Sequence, residues 1–458
     1  MPLILEADIN DVIKNYELRG DNGFKFCLFE AISNSLYCCM ENKRIEIVVN
    51  LSRNYKANAL RGDDENQVST FRITDNGEGF TDSNFDKFTR SINKSNHTGG
   101  KGLGRIAYLK VFADVRIDSV YIQDGQLYRR QFSFNTASIE DKKVKAEAST
   151  PQTILTFKQM RPAYQKYTAK SIDDYADSVL EYFYVFLNYL HGQGKEFDIK
   201  FVDDSGKISS RQINNERLNQ DKVSHEKFTI KDPTAIDGLF DDEKETFEIV
   251  HIKSKNIKGH KALYVVDERS AGEISNIELP PSGRPLEDQD GFTFYYYVYL
   301  QSDYFQSFLN DSRTLLSLPH KNHSTDDCDI TEERIKDELQ MRINHFLAYE
   351  LNVLDQKNEE KVHEILTKVD NNKTYNNSAY LYLLGDEETK SHLLKTIKYS
   401  DSEKKILSKV RDFHEAVQAE TVEQINQTME RLKNEKTEEI DFSKLGSALW
   451  YSDAKSNK

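Results

Sequence analysis

Apolar positions fall at helical spacing through residues 24–41, FKFCLFEAISNSLYCCME, with Phe24, Leu28, Ala31, Ile32, Ser35 and Cys39 on one face, which predicts a helix. Residues 44–51 alternate like a strand, 52–67 are polar and suit a hairpin loop, and 68–74 read as a second strand running into DNGEGF. Ser, Thr, Asn and Gly dominate 81–104, which has no strong periodicity and suits a functional lid. LGRIAYLKVFA then opens a helix, and strand-like runs at 113–121, 126–134 and 153–158 complete an α+β sandwich ending near residue 160. A second helical stretch, 171–192, reads as a connector. Strand patterns recur at 196–202, 246–254, 261–268 and 291–300, while the polar segment 203–245 has no assignable element. Beyond residue 330 the pattern is helical, without the long heptads of a coiled coil. No internal repeat is visible.

These divisions predict a first α+β domain at 1–165, a middle α/β domain with its connector helix at 166–330, and a helical region at 331–458. The length of 458 residues suits roughly three domains. Lys and Arg total 62 against 76 Asp and Glu, giving a net charge of −14, which argues against a surface built for non-specific nucleic-acid binding. No apolar run reaches the roughly 20 residues of a membrane span, and the N-terminus lacks the basic flank of a secretion signal. The four cysteines, Cys27, Cys38, Cys39 and Cys328, have no metal-ligand spacing and read as free thiols of a cytoplasmic protein.

Four short motifs carry the candidate chemistry. Glu30 and Asn34, four residues apart, share a helix face, where a carboxylate can take a proton from water and an amide oxygen can hold magnesium. Alone, the pair is an ordinary polar helix face. Asp75-Asn76-Gly77-Glu78-Gly79-Phe80 ends a strand, and its carboxylate can accept from an exocyclic amine while Gly77 and Gly79 admit a ligand; alone, it is also a common turn. Gly99-Gly100-Lys101-Gly102-Leu103-Gly104-Arg105 precedes a helix and can cradle phosphates with backbone amides. It is not a Walker loop, since position 95 is Ser and Lys101 is followed by Gly, nor does it have dinucleotide-fingerprint spacing. Last, Gln152-Thr153-Ile154-Leu155-Thr156-Phe157 is a strand opening with a hydroxyl.

In this order, over about residues 20–160, the set resembles the GHKL ATPases: gyrase, the ninety-kilodalton heat-shock chaperones, sensor histidine kinases and MutL. The resemblance implies a Bergerat-type α/β sandwich ATPase domain, a transducer-like α/β domain and a helical C-terminal region, α+β in class. It assigns Glu30 as the base for water, Asn34 as the Mg2+ ligand and Asp75 as the adenine reader. Gly77 and Gly79 shape the adenine pocket, Gly99, Gly100, Lys101, Gly102, Leu103, Gly104 and Arg105 hold phosphates, and Thr153 supports base binding. The family's glycine before that threonine is Gln152 here, which weakens the match at Thr153.

Barely twenty residues precede the first motif helix, leaving no phosphoacceptor helix, so the layout is that of the chaperone, MutL and MORC branch. There, a middle domain returns a cation to the nucleotide. Phe308-Leu309-Asn310-Asp311-Ser312-Arg313-Thr314 resembles the chaperone segment that does so, which nominates Arg313 over Lys253, Lys255 and Lys261. The resemblance implies a slow ATPase, yielding ADP and phosphate, that acts as an ATP-gated switch and forms a homodimer when ATP-bound, with residues 1–20 as an exchange arm. A protein client is favoured, chaperone-like or in a bacterial antiviral defence module. The alternatives are a DNA-acting clamp similar to MutL, MORC or topoisomerase ATPase subunits, using the cations of 87–110, and a non-hydrolysing nucleotide sensor.

Overall fold

The computed structural model describes residues 13–16, 18, 20–53, 67–90, 104–135, 139–147, 150–168, 170–203, 206, 208–231, 244–281, 283–310, 316–320, 330–371, 382–385, 387–397 and 401–434. Contacts divide the chain into two compact units, one of Met1–Glu278 with Phe294–Glu338, the other of Leu279–Thr293 with Leu339–Lys458.

The first unit is mixed α+β. Helix α1 (Gly20–Cys38) leads into β1 (Arg44–Arg53) and β2 (Val68–Asp75), then α2 (Asp82–Arg90) and α3 (Gly104–Val111). There follow β3 (Phe112–Gln123), β4 (Gln126–Phe134), β5 (Lys142–Lys145), β6 (Gln152–Met160), α4 (Ile172–Gly192), β7 (Glu196–Asp203) and β8 (Ile213–Asn214). These strands form one sheet in the order β5-β4-β3-β6-β2-β1-β7-β8. Alternation in β1 buries Ile45, Ile47, Val49 and Leu51 on one face, as a half-covered strand requires. The β3–β4 hairpin turns at Asp124-Gly125, both at positive φ, the backbone that a two-residue turn between twisted strands needs.

Helix α1 is apolar nearly all round because it is covered nearly all round. Phe24 meets Phe71 of β2 and Tyr175 of α4 edge-on, and Phe29 stacks on Tyr182 of α4 at 4.2 Å. Ser171 and Asp174 form a capping box that starts α4. The helix read as a connector is a core element, with eleven of its residues buried. The sheet also continues past residue 160, where β7 pairs with β1 in parallel.

A second sheet in this unit comes from β9 (Lys222–Lys231), β10 (Lys244–Ser254), β11 (Lys261–Val266), β12 (Arg269–Glu273) and, after a two-residue β13 (Leu286–Glu287), β14 (Thr293–Gln301), ordered β12-β11-β14-β10-β9. Tyr299 donates its hydroxyl to the Glu181 carbonyl of α4 at 2.9 Å and stacks on Tyr184, so α4 joins both sheets to one core. Strand β9 falls in the stretch that the sequence left unassigned.

The stretch 81–104 holds a helix that the sequence pattern does not announce. Thr81 caps α2 by accepting from the Asn84 amide at 3.2 Å. Phe85 and Phe88, three apart, pack edge-on against Phe132 of β4, as does Phe80. Only two aromatics in nine otherwise polar positions signal this helix, and their partner is in a distant strand. Residues 91–103 lie outside the described residues, as do the arm residues 1–12 and Arg313.

Beyond α5 (Glu332–Phe346), helices α6 (Ala348–Asn371), α7 (Glu387–Thr396) and α8 (Glu403–Asn434) agree with the helical reading of the C-terminal region. They close a small core of Val362, Ile365, Leu366, Leu393, Ile406 and Val410 among others. Phe132→Ala removes the ring shared by Phe80, Phe85 and Phe88 and is expected to cost about 3–5 kcal/mol of stability, read as a lower urea midpoint.

Candidate functional site

Strand β2 ends at Asp75, whose side chain is only 4% exposed. Ser35 of α1 donates to its Oδ2 at 2.7 Å, and the Gly77 amide donates to its Oδ1 at 3.0 Å. Burial raises the carboxyl to about 6, with the Ser35 and Gly77 hydrogen bonds pulling the other way. The next residue fixes the turn. Asn76 accepts from the Glu46 amide at 3.0 Å, donates to the Arg44 carbonyl at 2.9 Å, and receives Asn42 on its own carbonyl at 2.6 Å.

Two glycines here are required sterically. A Cβ at Gly77 would stand 2.9 Å from Cβ of Cys38, and one at Gly79, where φ is +75°, would stand 2.6 Å from Oγ of Ser119. Register then brings Thr153 beside Asp75 across β2–β6 and beside Ser119 across β3–β6. The Ser119 and Thr153 hydroxyls are 2.9 Å apart, and Ser119 also accepts from the Phe80 amide at 3.0 Å. Asp75, Gly77, Gly79 and Thr153 are therefore brought together, with Ser35 and Ser119 as members that the motifs did not name.

Glu30 stands five residues before Ser35 on the same helix, about 7 Å along its axis. Helix α3 begins against it. A Cβ on Gly104 would lie 2.0 Å from Glu30 Oε2, so a side chain there would displace the carboxylate. Asn34, one turn on, is exposed and donates through Nδ2 to the Tyr108 hydroxyl of α3 at 2.9 Å. Arg105 does not point along this line; its guanidinium lies over the Phe88 ring at 4.4 Å and binds the Phe88 carbonyl, tying α3 to α2. Burial lowers Arg105 to about 10. Gly99, Gly100, Lys101, Gly102 and Leu103 lie outside the described residues.

The cation beside Glu30 is Arg269 of β12, with Nη1 3.6 Å from Glu30 Oε1. Its guanidinium lies over the Tyr37 ring at 5.4 Å, and its buried Nε has no hydrogen-bond partner. Burial works against this charge, but Tyr182, Glu30 and Tyr37 outweigh it and raise the pKa. No motif surrounds Arg269 in the sequence; it follows a turn at Asp267 and Glu268, both at positive φ. The other nominated cations are engaged differently. Lys261 pairs with Glu181 at 2.8 Å, Lys253 lies over the Phe294 ring, and Lys255 lines a cleft away from Glu30. Open polar clefts of about 460 and 480 Å³ are lined by neither Glu30 nor Asp75, and their walls include the salt-bridged pair Lys261–Glu181 and the salt-bridged Arg217 and Asp177.

The arrangement thus has two ends on one helix. Near Cys38 it offers a buried acceptor among hydroxyls and glycines. Near Glu30 it offers a carboxylate, an amide, a helix start and an arginine.

Residues 22–166 match the family model described as "Histidine kinase-, DNA gyrase B-, and HSP90-like ATPase". Among solved structures, the chain is similar to one described as the N-terminal domain of a DNA repair protein, with 12% identity and a TM-score of 0.38, covering 70% of this chain and 93% of that one. No curated protein matches it in sequence. Among the described residues, no helix is long and apolar enough to cross a membrane.

The folded pKa of Asp75 lies above its ordinary value of 3.8, so its contribution to stability is complete below about 3.8 and is lost as pH rises through about 6. Urea unfolding across that window is expected to show a fall in stability that Asp75→Asn removes.

Proposed function

We propose, from the premise that residues 22–166 form a GHKL-type ATPase domain, that this protein is a Mg2+-dependent, ATP-hydrolysing conformational switch. The observation that carries the reading is the placing of Asp75 and Thr153 in register beside Ser35 of α1, with Asn34 next to Ser35 and Glu30 between one and two turns back along the same helix. Asp75, held ionised, accepts from the adenine amine, and Thr153 is oriented by Ser119 at the same end. Gly77 and Gly79, each packed too closely to carry a Cβ, would border the base. At the other end Glu30 takes the proton of the attacking water. Helix α3 begins beside it at Gly104, and the preceding glycines 99–102 would supply amides to the phosphates.

Magnesium fits this donor set. Among the described residues no cluster of three His, Cys, Asp or Glu side chains is present, and Mg2+ on a nucleotide needs only one or two protein oxygens beside the phosphates. Asn34 would hold it, and the ion would neutralise charge on the phosphate oxygens.

Arg269 is the cation we assign to the γ-phosphate, in the role for which the family resemblance nominates Arg313. Its unsatisfied Nε and its position beside Glu30 support this, since a phosphate oxygen would supply the missing acceptor. Because Arg269 belongs to the second sheet, γ-phosphate binding would change how that sheet is held, which is the switch. We further propose that the ATP-bound form dimerises and acts on a protein client in the cytoplasm, where free Cys27 and Cys39 thiols persist. The chaperone-like and defence roles remain within this reading.

Glu30→Ala is expected to retain ATP binding and lose turnover about 100-fold or more; unchanged turnover removes Glu30 from the chemistry. Arg269→Ala should lower turnover with little effect on ADP affinity, measured by steady-state kinetics and calorimetry. ATP affinity should weaken as pH falls below about 6, where Asp75 protonates, and Asp75→Asn should bind poorly without that dependence. Light scattering with a non-hydrolysable ATP analogue tests dimerisation, and a mass unchanged by the analogue refutes it.

A further inference from the structure

Asn34 is an exposed side chain whose amide has two chemically different ends. Its oxygen can bind a hard cation and its nitrogen cannot. An exposed asparagine turns freely unless something holds the nitrogen. Here Nδ2 donates to the Tyr108 hydroxyl at 2.9 Å. The phenol is itself immobile: Tyr108 is 1% exposed, and its ring meets Phe157 of β6 edge-on at 4.9 Å.

Helix α3, which carries Tyr108, is seated on α1 at two further points. Cys27 donates its thiol to the Ala107 carbonyl at 3.2 Å, and Gly104 abuts Glu30. Residues 27, 30 and 34 of α1 lie on one stripe, so the seating of α3 reaches the base and the amide together. Helix α3 also follows directly on the glycine-rich segment.

We propose that Tyr108 is a positioning residue for the metal: its hydroxyl captures the nitrogen of the Asn34 amide and leaves the oxygen facing the nucleotide, so that the site accepts Mg2+ only when α3 is seated. This rests on the reading of Asn34 as the Mg2+ ligand. It concerns orientation and places Tyr108 in no bond to metal or nucleotide.

The test measures binding of a non-hydrolysable ATP analogue to the full chain, once in excess Mg2+ and once in EDTA. Tyr108→Phe removes one oxygen and leaves its partner Asn34 exposed to water, so the fold should persist. The expected result is a five- to tenfold loss of the Mg2+-dependent gain in affinity, with affinity in EDTA unchanged. In an Asn34→Asp background both side-chain ends are oxygen, and Tyr108→Phe should then have no effect on that gain. An equal loss with and without Mg2+ would mean that Tyr108 serves only packing, and overturns the proposal. So does an unchanged gain in Tyr108→Phe, or the same loss in the Asn34→Asp background. Those three outcomes leave the ATP site standing, whereas a wild-type chain that binds no analogue in either condition overturns both readings.

Discussion

The constraint on which the site depends is a carboxylate buried at a strand end. Moving Asp75 out of water penalises its charge, and two donors, the Ser35 hydroxyl and the Gly77 amide, offset only part of that, since the carboxyl still titrates near 6. A third donor from a ligand would complete the set. Each neighbour follows from this need. Ser35 must face the sheet from α1. Position 77 must lack a side chain so that its amide can reach back while Cys38 stays close. The Asn76 side chain pins the turn to the backbone at Arg44 and Glu46, so the carboxylate cannot swing into solvent.

The same helix that positions this acceptor through Ser35 carries Glu30 five residues earlier, near its middle. Helix α1 is packed by the sheet, by α3 and by α4, which leaves its few polar residues little freedom. That rigidity keeps Glu30, Asn34 and Ser35 at fixed spacing, as a site spanning a long ligand requires. Helix α4 then adds a second sheet to the core through Tyr299 and Tyr184, and β12 of that sheet delivers Arg269 to Glu30. The surroundings of Glu30 thus draw on the second sheet, and those of Asp75 on the first.

Much of this was legible in the chain itself. The spacing of Phe24, Leu28 and Ile32 announces α1, alternation announces β1, and Asp75-Asn76-Gly77 announces the end of β2. The family match over 22–166 covers the region where the four motifs lie. What was hidden had partners far away in sequence. Helix α2 rests on two phenylalanines whose partner Phe132 is more than forty residues on. Ser119 gains meaning only from a register that sets it opposite Thr153. Arg269 sits in no motif, whereas the local pattern favours Arg313, which falls outside the described residues.

The sequence by itself determined most of the elements, though not α2 or β9, and the order of the motifs, because hydrophobic periodicity and glycine chemistry act over a few residues. Only the tertiary structure decided which hydroxyls surround Asp75, that β7 joins β1 in parallel to extend the first sheet, and that Arg269 is the arginine which meets Glu30. Those outcomes depend on strand register and on the packing of α4 between two sheets. Both are settled by burial summed over the whole unit, and no short window of sequence contains that sum.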